Sequence, residues 1–333
     1  MIRRGQTAVS GATGTTYTQK VKRPLSLVVA ASVFVAFALV ASDYGVAGQP
    51  GVEHRVDDHS ASFSPDGRTI IFERFFSTLR RGVDTHPVSK RAVLLVMRAD
   101  GSHKRVLRHV GATFERDATF SSDGRSIVFI RDGRIYLMRR DGSGAHPVGR
   151  DFREHACPRF SPDGTKISFW RGTTKSGAYF VMNADGSAVR RISGEHRFAW
   201  GCPFWFPDGT RLVIAKEFKL YVTSVDGTRI QRITDDKDGT LYRPSVSPDG
   251  RWIACDGWHR RTGHGIIVMR TDGTGMRRIT TAANEIENDA APSWSPDGRR
   301  IVFSGYRSRF RGAGVYVVKR DGRGLRRLSN FVR

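Results

Sequence analysis

One frame dominates this chain: Ser-Pro-Asp-Gly set between two apolar runs. It first occurs as "SFSPDGRTIIF" (62–72) and returns as "TFSSDGRSIVF" (119–129), "RFSPDGTKISF" (159–169), "FWFPDGTRLVI" (204–214), "SVSPDGRWIAC" (245–255) and "SWSPDGRRIVF" (293–303). Pro pre-sets the first central φ of a type I turn, Asp tolerates the second, and Gly takes the left-handed position that closes a hairpin. The run after it is almost wholly apolar ("TIIF", "SIVF", "RLVI", "RIVF"), as a strand covered on both faces requires. Each unit carries a second Asp-Gly turn, in "MRADGS", "MRRDGS", "MNADGS", "TSVDGT", "MRTDGT" and "VKRDGR", whose glycines (Gly101, Gly142, Gly186, Gly227, Gly273, Gly322) lie 41, 44, 41, 46 and 49 residues apart. A period in the forties with four strand-like runs per unit predicts propeller blades. The expected fold class is therefore all-β: a six-bladed β-propeller of four-stranded antiparallel blades, over about 59–110, 111–151, 152–195, 196–236, 237–285 and 286–333. Residues 49–58 are expected as a linker or a closing strand for the last blade.

The N-terminus reads as a separate segment, 1–48. Arg3, Arg4, Lys20, Lys22 and Arg23 precede the charge-free run "PLSLVVAASVFVAFALVAS" (24–42), which is the pattern of a secretory signal or a signal anchor with a short linker. Export with cleavage is the expected course and a retained anchor the alternative. Membrane contact is expected only through this segment, and the destination is extracytoplasmic: periplasmic, cell-surface or secreted.

The net charge of +23 over 333 residues favours anionic partners. An arginine-rich proteome would produce the same balance with no polyanion partner. Nucleic acid is not expected, because of the export segment and the absence of a binding motif. The paired arginines of the fourth runs, Arg190-Arg191, Arg277-Arg278 and Arg326-Arg327, are expected as solvated guards on blade edges.

The full frame, "P-x-F/W-S-P-D-G-x-x-I-x-F" followed by "I-Y-V-M-x-x-D-G" and a short Arg-rich run, resembles the WD-type repeat of the TolB-like β-propellers over roughly residues 59–333. The resemblance implies a six-bladed propeller outside the cytoplasm that acts as a protein-interaction module. It says little about the ligand. The repeats begin directly after the signal, without the α/β domain of TolB itself. No Gly-x-Ser-x-Gly frame marks a hydrolase domain. A monomeric propeller alone is expected.

In such a ring the connections between second and third strands share one face. Those of blades 2 and 4 are minimal, whereas blades 1, 5 and 6 carry "RFFSTLRRGVDTHPVSKR" (74–91), "DGWHRRTGHG" (256–265) and "SGYRSRFRGAG" (304–314). Blades 5, 6 and 1 are neighbours in a closed ring, so these loops form one patch. Its bases include Arg74, Arg80, Arg81, Arg260, Arg261, Arg307, Arg309 and Arg311, and its aromatics Phe75, Trp258, Tyr306 and Phe310. Its acids are few, Asp84 and Asp256. Arginine forks beside aromatic faces suit carboxylate, phosphate or sulfate groups on a protein partner or an anionic envelope polymer. Solvated loops with aromatics packed beneath them would look the same in sequence.

The channel mouth is the second candidate. His59, Asp117, Glu154, His155, Trp200, Tyr242, Asn288 and Asp289 precede the first strands and could form an acid/base pair for a propeller lyase, lactonase or hydrolase acting on an acidic sugar or ester. They show no metal-ligand spacing, the Asp-Gly pairs are turns, and no metal or cofactor is implied. The noncatalytic binding module is the first expectation and the enzyme its alternative. Cys157 and Cys202 occupy the same position in adjacent blades and could bridge in an oxidising compartment, provided their Cα atoms lie within about 7 Å. Cys255 reads as a small core residue.

Overall fold

The structure, a computed structural model, describes residues 52–80, 89–107, 114–149, 155–173, 176–197, 201–259, 263–280, 286–307 and 312–329. The segment 24–42, expected as signal or anchor, lies outside them. Among the described residues no helix is long and apolar enough to cross a membrane.

Six antiparallel sheets follow one another along the chain, each built from consecutive strands. Blade 1 holds β1 (Val52–Phe63), β2 (Thr69–Arg80), β3 (Ser89–Arg98) and β4 (Arg105–Val106). Blade 2 holds β5 (Glu115–Phe120), β6 (Ser126–Arg131), β7 (Arg134–Arg139) and β8 (His146–Pro147). Blade 3 holds β9 (His155–Phe160), β10 (Lys166–Gly172), β11 (Ser176–Asn183) and β12 (Arg190–Arg191), with β13 (His196–Arg197) also pairing β11. Blade 4 holds β14 (Phe204–Trp205), β15 (Arg211–Lys216), β16 (Lys219–Ser224) and β17 (Ile230–Arg232). Blade 5 holds β18 (Thr240–Val246), β19 (Trp252–His259), β20 (Gly263–Arg270) and β21 (Arg277–Arg278). Blade 6 holds β22 (Ile286–Trp294), β23 (Arg300–Arg307), β24 (Ala313–Lys319) and β25 (Arg326–Arg327). Residues 52–58, left open by the sequence as linker or closing strand, are the first half of β1 and pair with 74–80. Blade 6 takes its four strands from its own repeat, so the ring closes by packing and not by strand exchange.

That packing is a set of apolar joints between neighbouring blades. The second strands are buried along most of their length, and their side chains meet those of the adjacent sheet. Phe72, Leu95 and Met97 of blade 1 pack with Val302, Val315 and Val317 of blade 6, and every other pair of neighbours has an equivalent cluster. Each fully buried side chain contributes roughly 1.5–3 kcal/mol, against about 1 kcal/mol for a typical hydrogen bond, so the apolar joints carry most of the ring's stability.

The turns that the sequence marks so strongly do two jobs. Within a blade, Ser64 Oγ donates to Asp66 Oδ1 at 2.5 Å, Asp66 accepts the Arg68 N–H at 3.0 Å, and Ser64 Oγ accepts the Thr69 N–H at 3.0 Å. The same knot recurs at Ser121, Ser161, Ser247 and Ser295. Between blades, the glycine of each second turn lies against the end of the preceding blade's fourth strand. A Cβ at Gly322 would stand 2.9 Å from the Ile279 carbonyl oxygen, and one at Gly101 2.9 Å from that of Leu328, across the closing joint. Positive φ and close approach together leave no room for a side chain.

The first arginine of each fourth-strand pair is exposed on its blade edge, as expected, and has a second role: it reaches across to the next blade's second turn. Arg190 Nη2 donates to the Val225 carbonyl at 3.0 Å, Arg277 Nη2 to that of Arg320 at 2.6 Å, and Arg326 Nη1 to that of Asp100 at 3.4 Å. The second of the pair holds backbone in its own blade, Arg278 on His264 and Arg327 on Ser329. A short edge strand leaves turn carbonyls of the neighbour without strand partners, and the long guanidinium arms satisfy them.

Candidate channel site and outer hairpin face

Each first strand bends just before its Ser-Pro-Asp-Gly turn. Ser60, Asp117, Cys157, Arg243 and Ala291 all take positive φ there, between 41° and 57°, at register shifts in the β1, β5, β9, β18 and β22 pairings. A bulge of this kind re-aims side chains and frees backbone N–H groups from the ladder. With Cys202 these five positions form a ring, one per blade, around the channel.

The freed groups are captured by carboxylates. Glu73 of β2 accepts the Ser60 hydroxyl at 2.8 Å within its blade and the Asp117 N–H of blade 2, also at 2.8 Å. Asp117 accepts Arg116 Nη1 at 2.6 Å and the Cys157 N–H of blade 3 at 3.1 Å. Asp256 of β19 takes the Arg243 guanidinium at 2.9 and 2.8 Å and the Ala291 N–H of blade 6 at 3.2 Å. Cys157 and Cys202 form a disulfide between blades 3 and 4, with Cα atoms 4.9 Å apart. Trp205 and Trp294 add indole donors to the preceding blade's first strand, on the Arg159 and Ser245 carbonyls. The polar ring of the channel thus clasps successive blades.

Its electrostatics follow from enclosure. Burial, and then the Asp117 carboxylate, raise the Glu73 carboxyl to about 7. Burial holds His59 and His264 below the ordinary imidazole value, the nearby aspartates opposing it. Tyr242 is raised by burial and packs edge-on against Phe218 at 5.4 Å between centroids. Arg159, in the same ring, is lowered by burial, with Asp117 and Glu73 acting in the opposite sense.

Of the channel residues singled out by sequence, His59, Asp117 and Tyr242 are found here. His155 and Asp289 lie on β9 and β22, as does Asn288 on β22, their side chains outside the described residues; Glu154 and Trp200 lie outside altogether. Glu73, Arg159 and Arg243 were not singled out. A signal existed: a carboxylate as the fifth residue of an otherwise apolar second strand, in "TIIFE" and "WIACD". Asp256, counted among the loop acids, is a fully buried channel residue.

The outer hairpin face keeps part of its expected character. β2 and β3 run 12 and 10 residues, whereas β6 and β7 of blade 2 run 6 each and meet in a two-residue turn. Trp258 is 42% exposed on β19, and Phe76, on β2, is 39% exposed with the Arg91 guanidinium 5.9 Å from its ring centroid. Phe75 is half-buried, edge-on to His59 and Phe114. Besides Asp256, two further residues expected in the patch do not belong to it. Arg74 is buried and doubly bonded to Asp58 at 2.7 and 2.9 Å, because the cross-strand position opposite it is acidic; Arg131–Glu115 repeats this pair in blade 2. Tyr306 is buried, since β23 continues through it against Ala313. Arg80 and Arg307 lie on strands with side chains outside the described residues, and Arg81, Arg260, Arg261, Arg309, Phe310 and Arg311 lie outside them.

Among the described residues no group of three or more His, Cys, Asp or Glu side chains could hold a metal ion.

Comparison with known proteins matches most of the blades to one family. The profile of the TolB β-propeller domain covers residues 135–332. A TolB homologue of Chlorobium luteolum is 31% identical over 46% of this chain and 36% of its own length, so the match spans about a third of that relative. The crystal structure of TolB from Acinetobacter baumannii superposes with a TM-score of 0.62 at 15% identity, over 90% of this chain and 67% of that one. An oligogalacturonate lyase in complex with manganese superposes at 0.55 and 14% identity, over 82% and 78% of the respective chains. At such identities the two structures speak for the fold alone; with the profile match over more than half its length, the chain belongs to the TolB β-propeller domain family.

Proposed function

We propose that this chain is a noncatalytic, extracytoplasmic binding module that recognises a protein partner through the hairpin face of blades 5, 6 and 1. The observation that carries the reading is the pair of exposed aromatics, Phe76 and Trp258, on the lengthened hairpins of blades 1 and 5, with Arg91 over the Phe76 ring. Large side chains left in water at the ends of otherwise buried strands are what a binding hot spot uses, and aromatic and Arg residues dominate such spots. Two further facts support it. The channel carboxylates are occupied: Glu73, Asp117 and Asp256 each hold a neighbouring blade's backbone N–H. A group in that position serves the ring, and its removal would open a joint before it altered a reaction. The kinship with TolB proteins favours a protein partner and an extracytoplasmic setting over the alternatives.

The test is affinity capture from an envelope extract with the full chain and with a Phe76→Ala/Trp258→Ala variant. A saturable protein partner is expected with the wild type, at least about tenfold weaker with the variant, whose melting temperature should be unchanged. Undiminished capture by the variant would refute the face. Turnover of an acidic oligosaccharide that is lost on His155→Ala or Asp289→Ala would establish the enzyme reading instead.

A further inference from the structure

The face at the other end of the strands, built by the two turns of every blade, has a charge pattern of its own. Turn chemistry requires one aspartate in each turn, so every blade brings two acids to this face. Four further positions per blade vary: the two after Pro-Asp-Gly and the two before Asp-Gly. Blade 3 fills them with Thr165, Lys166, Asn183 and Ala184, and blade 4 with Thr210, Arg211, Ser224 and Val225. Each of these blades holds one base against two acids. Blade 6 alone fills all four with bases: Arg299, Arg300, Lys319 and Arg320. The positive end of the face therefore centres on blade 6, opposite the acidic end at blades 3 and 4.

A recess of about 810 Å³ lies at the same place, between blades 5 and 6. Those four bases line it together with Asp249, Asp297, Asp321 and the prolines of both Pro-Asp-Gly turns, Pro248 and Pro296. Two of the guanidinium groups are held in position from below: Arg320 lies 4.9 Å from the Trp252 ring centroid and Arg300 5.7 Å from that of Phe63. Arg299 and Lys319 are exposed, and among the described residues neither has an acidic partner within salt-bridge distance. A smaller recess of about 680 Å³ continues the surface toward blade 1, lined by Arg68, Arg98, Arg300 and Arg326 among others.

We infer that this recess is a binding site for an acidic polysaccharide, distinct from the protein-binding face proposed above and independent of it. The mixture of groups selects the ligand. Fixed guanidinium forks pair with uronate carboxylates. The aspartates between them accept from sugar hydroxyls, and the exposed prolines offer flat apolar steps to the C–H faces of the rings. Polyphosphate and the DNA backbone have no hydroxyl donors to offer the three carboxylates, so both fit less well than a polyuronate.

The experiment is titration of the full chain with a size-defined oligogalacturonate, with inorganic polyphosphate and a neutral maltooligosaccharide in parallel arms, at moderate salt. Two variants carry equal charge change: Arg299→Gln/Lys319→Gln in the recess and Thr165→Glu/Thr210→Glu on the acidic side. The expected result is saturable uronate binding that falls about tenfold in the first variant, as the loss of two exposed charge-assisted contacts implies, and by less than about twofold in the second. Polyphosphate is expected to bind more weakly and the neutral sugar not at all. Unaltered melting temperatures show that both variants keep the ring. Absence of saturable uronate binding, equal loss in both variants, or polyphosphate binding as tight as uronate would each overturn the assignment.

Discussion

Replacing Glu73 by Gln isolates the most unusual charge in the ring. In the unfolded chain this carboxyl titrates at its ordinary 4.5, whereas in the folded ring burial and the Asp117 carboxylate raise it to about 7. Its folded value is the higher one, so the ring keeps a proton that the unfolded chain has already released. The contribution to stability is therefore complete below about pH 4.5 and lost as pH rises toward 7. A difference of about 2.5 units corresponds to about 3 kcal/mol in all, of which about 2–3 kcal/mol falls between roughly pH 5 and pH 8. His59 and His264 act in the opposite sense, since burial lowers them and their neutral forms favour the ring as pH rises. The wild-type curve alone mixes the two, and the difference from the variant removes the histidines. In Glu73→Gln one amide oxygen serves Ser60, and the Asp117 N–H loses its acceptor, a cost of about 1–3 kcal/mol that does not vary with pH. Urea unfolding of both proteins, followed by tryptophan fluorescence from about pH 5 to pH 8, should show Glu73→Gln the less stable at the acidic end. The gap should narrow by about 2–3 kcal/mol at the basic end. A constant gap across that range would refute the account of Glu73 as a proton-holding clasp.

Reducing the Cys157–Cys202 bridge, or replacing both residues by Ser, reopens a loop spanning 45 residues in the unfolded chain and should cost about 3–4 kcal/mol, read as a lower urea midpoint. Gly322→Ala places a methyl against the Ile279 carbonyl at positive φ, so a loss of at least about 2 kcal/mol is expected in the melting curve. Asp256→Asn leaves the Arg243 guanidinium facing a neutral amide; because the Arg243 side chain is 31% exposed, about 3 kcal/mol is expected, toward the lower end for a broken buried pair. An unchanged urea midpoint in that variant would mean that the Asp256 clasp adds nothing to the joint between blades 5 and 6.

The blades were legible because turn chemistry is local. Pro-Asp-Gly at residues 65–67 or 248–250 identifies a hairpin whatever surrounds it, and the apolar runs that follow cannot be solvated. The relative lengths of the blade 1 and blade 2 hairpins were legible for the same reason. The burial of Arg74 and the second role of the exposed Arg190 were hidden because their partners are not local in sequence. Arg74 pairs with Asp58 across a strand, and Arg190 with a backbone carbonyl at Val225 in the next blade, so neither is told from a solvated arginine by composition. Glu73 and Asp256 stood out from their apolar strands, yet what they accept is an N–H freed by a bulge in the following blade. A bulge set by the packing of one sheet on another has no short motif. The turn-face recess escaped notice for a simpler reason: each of its bases sits in a turn that reads, alone, as ordinary fold grammar.

Docking of a protein partner on the hairpin face, with the channel ring remaining structural, can be read from hydrogen–deuterium exchange on the captured complex. Slowed exchange is expected in β2 and β3 around Phe76 and Arg91 and in β19 and β20 around Trp258, with the bulge residues Ser60, Asp117 and Ala291 unchanged from the free protein. Protection confined to the bulges and their neighbours, with the hairpins exchanging as before, would contradict the claim and move the binding site into the channel.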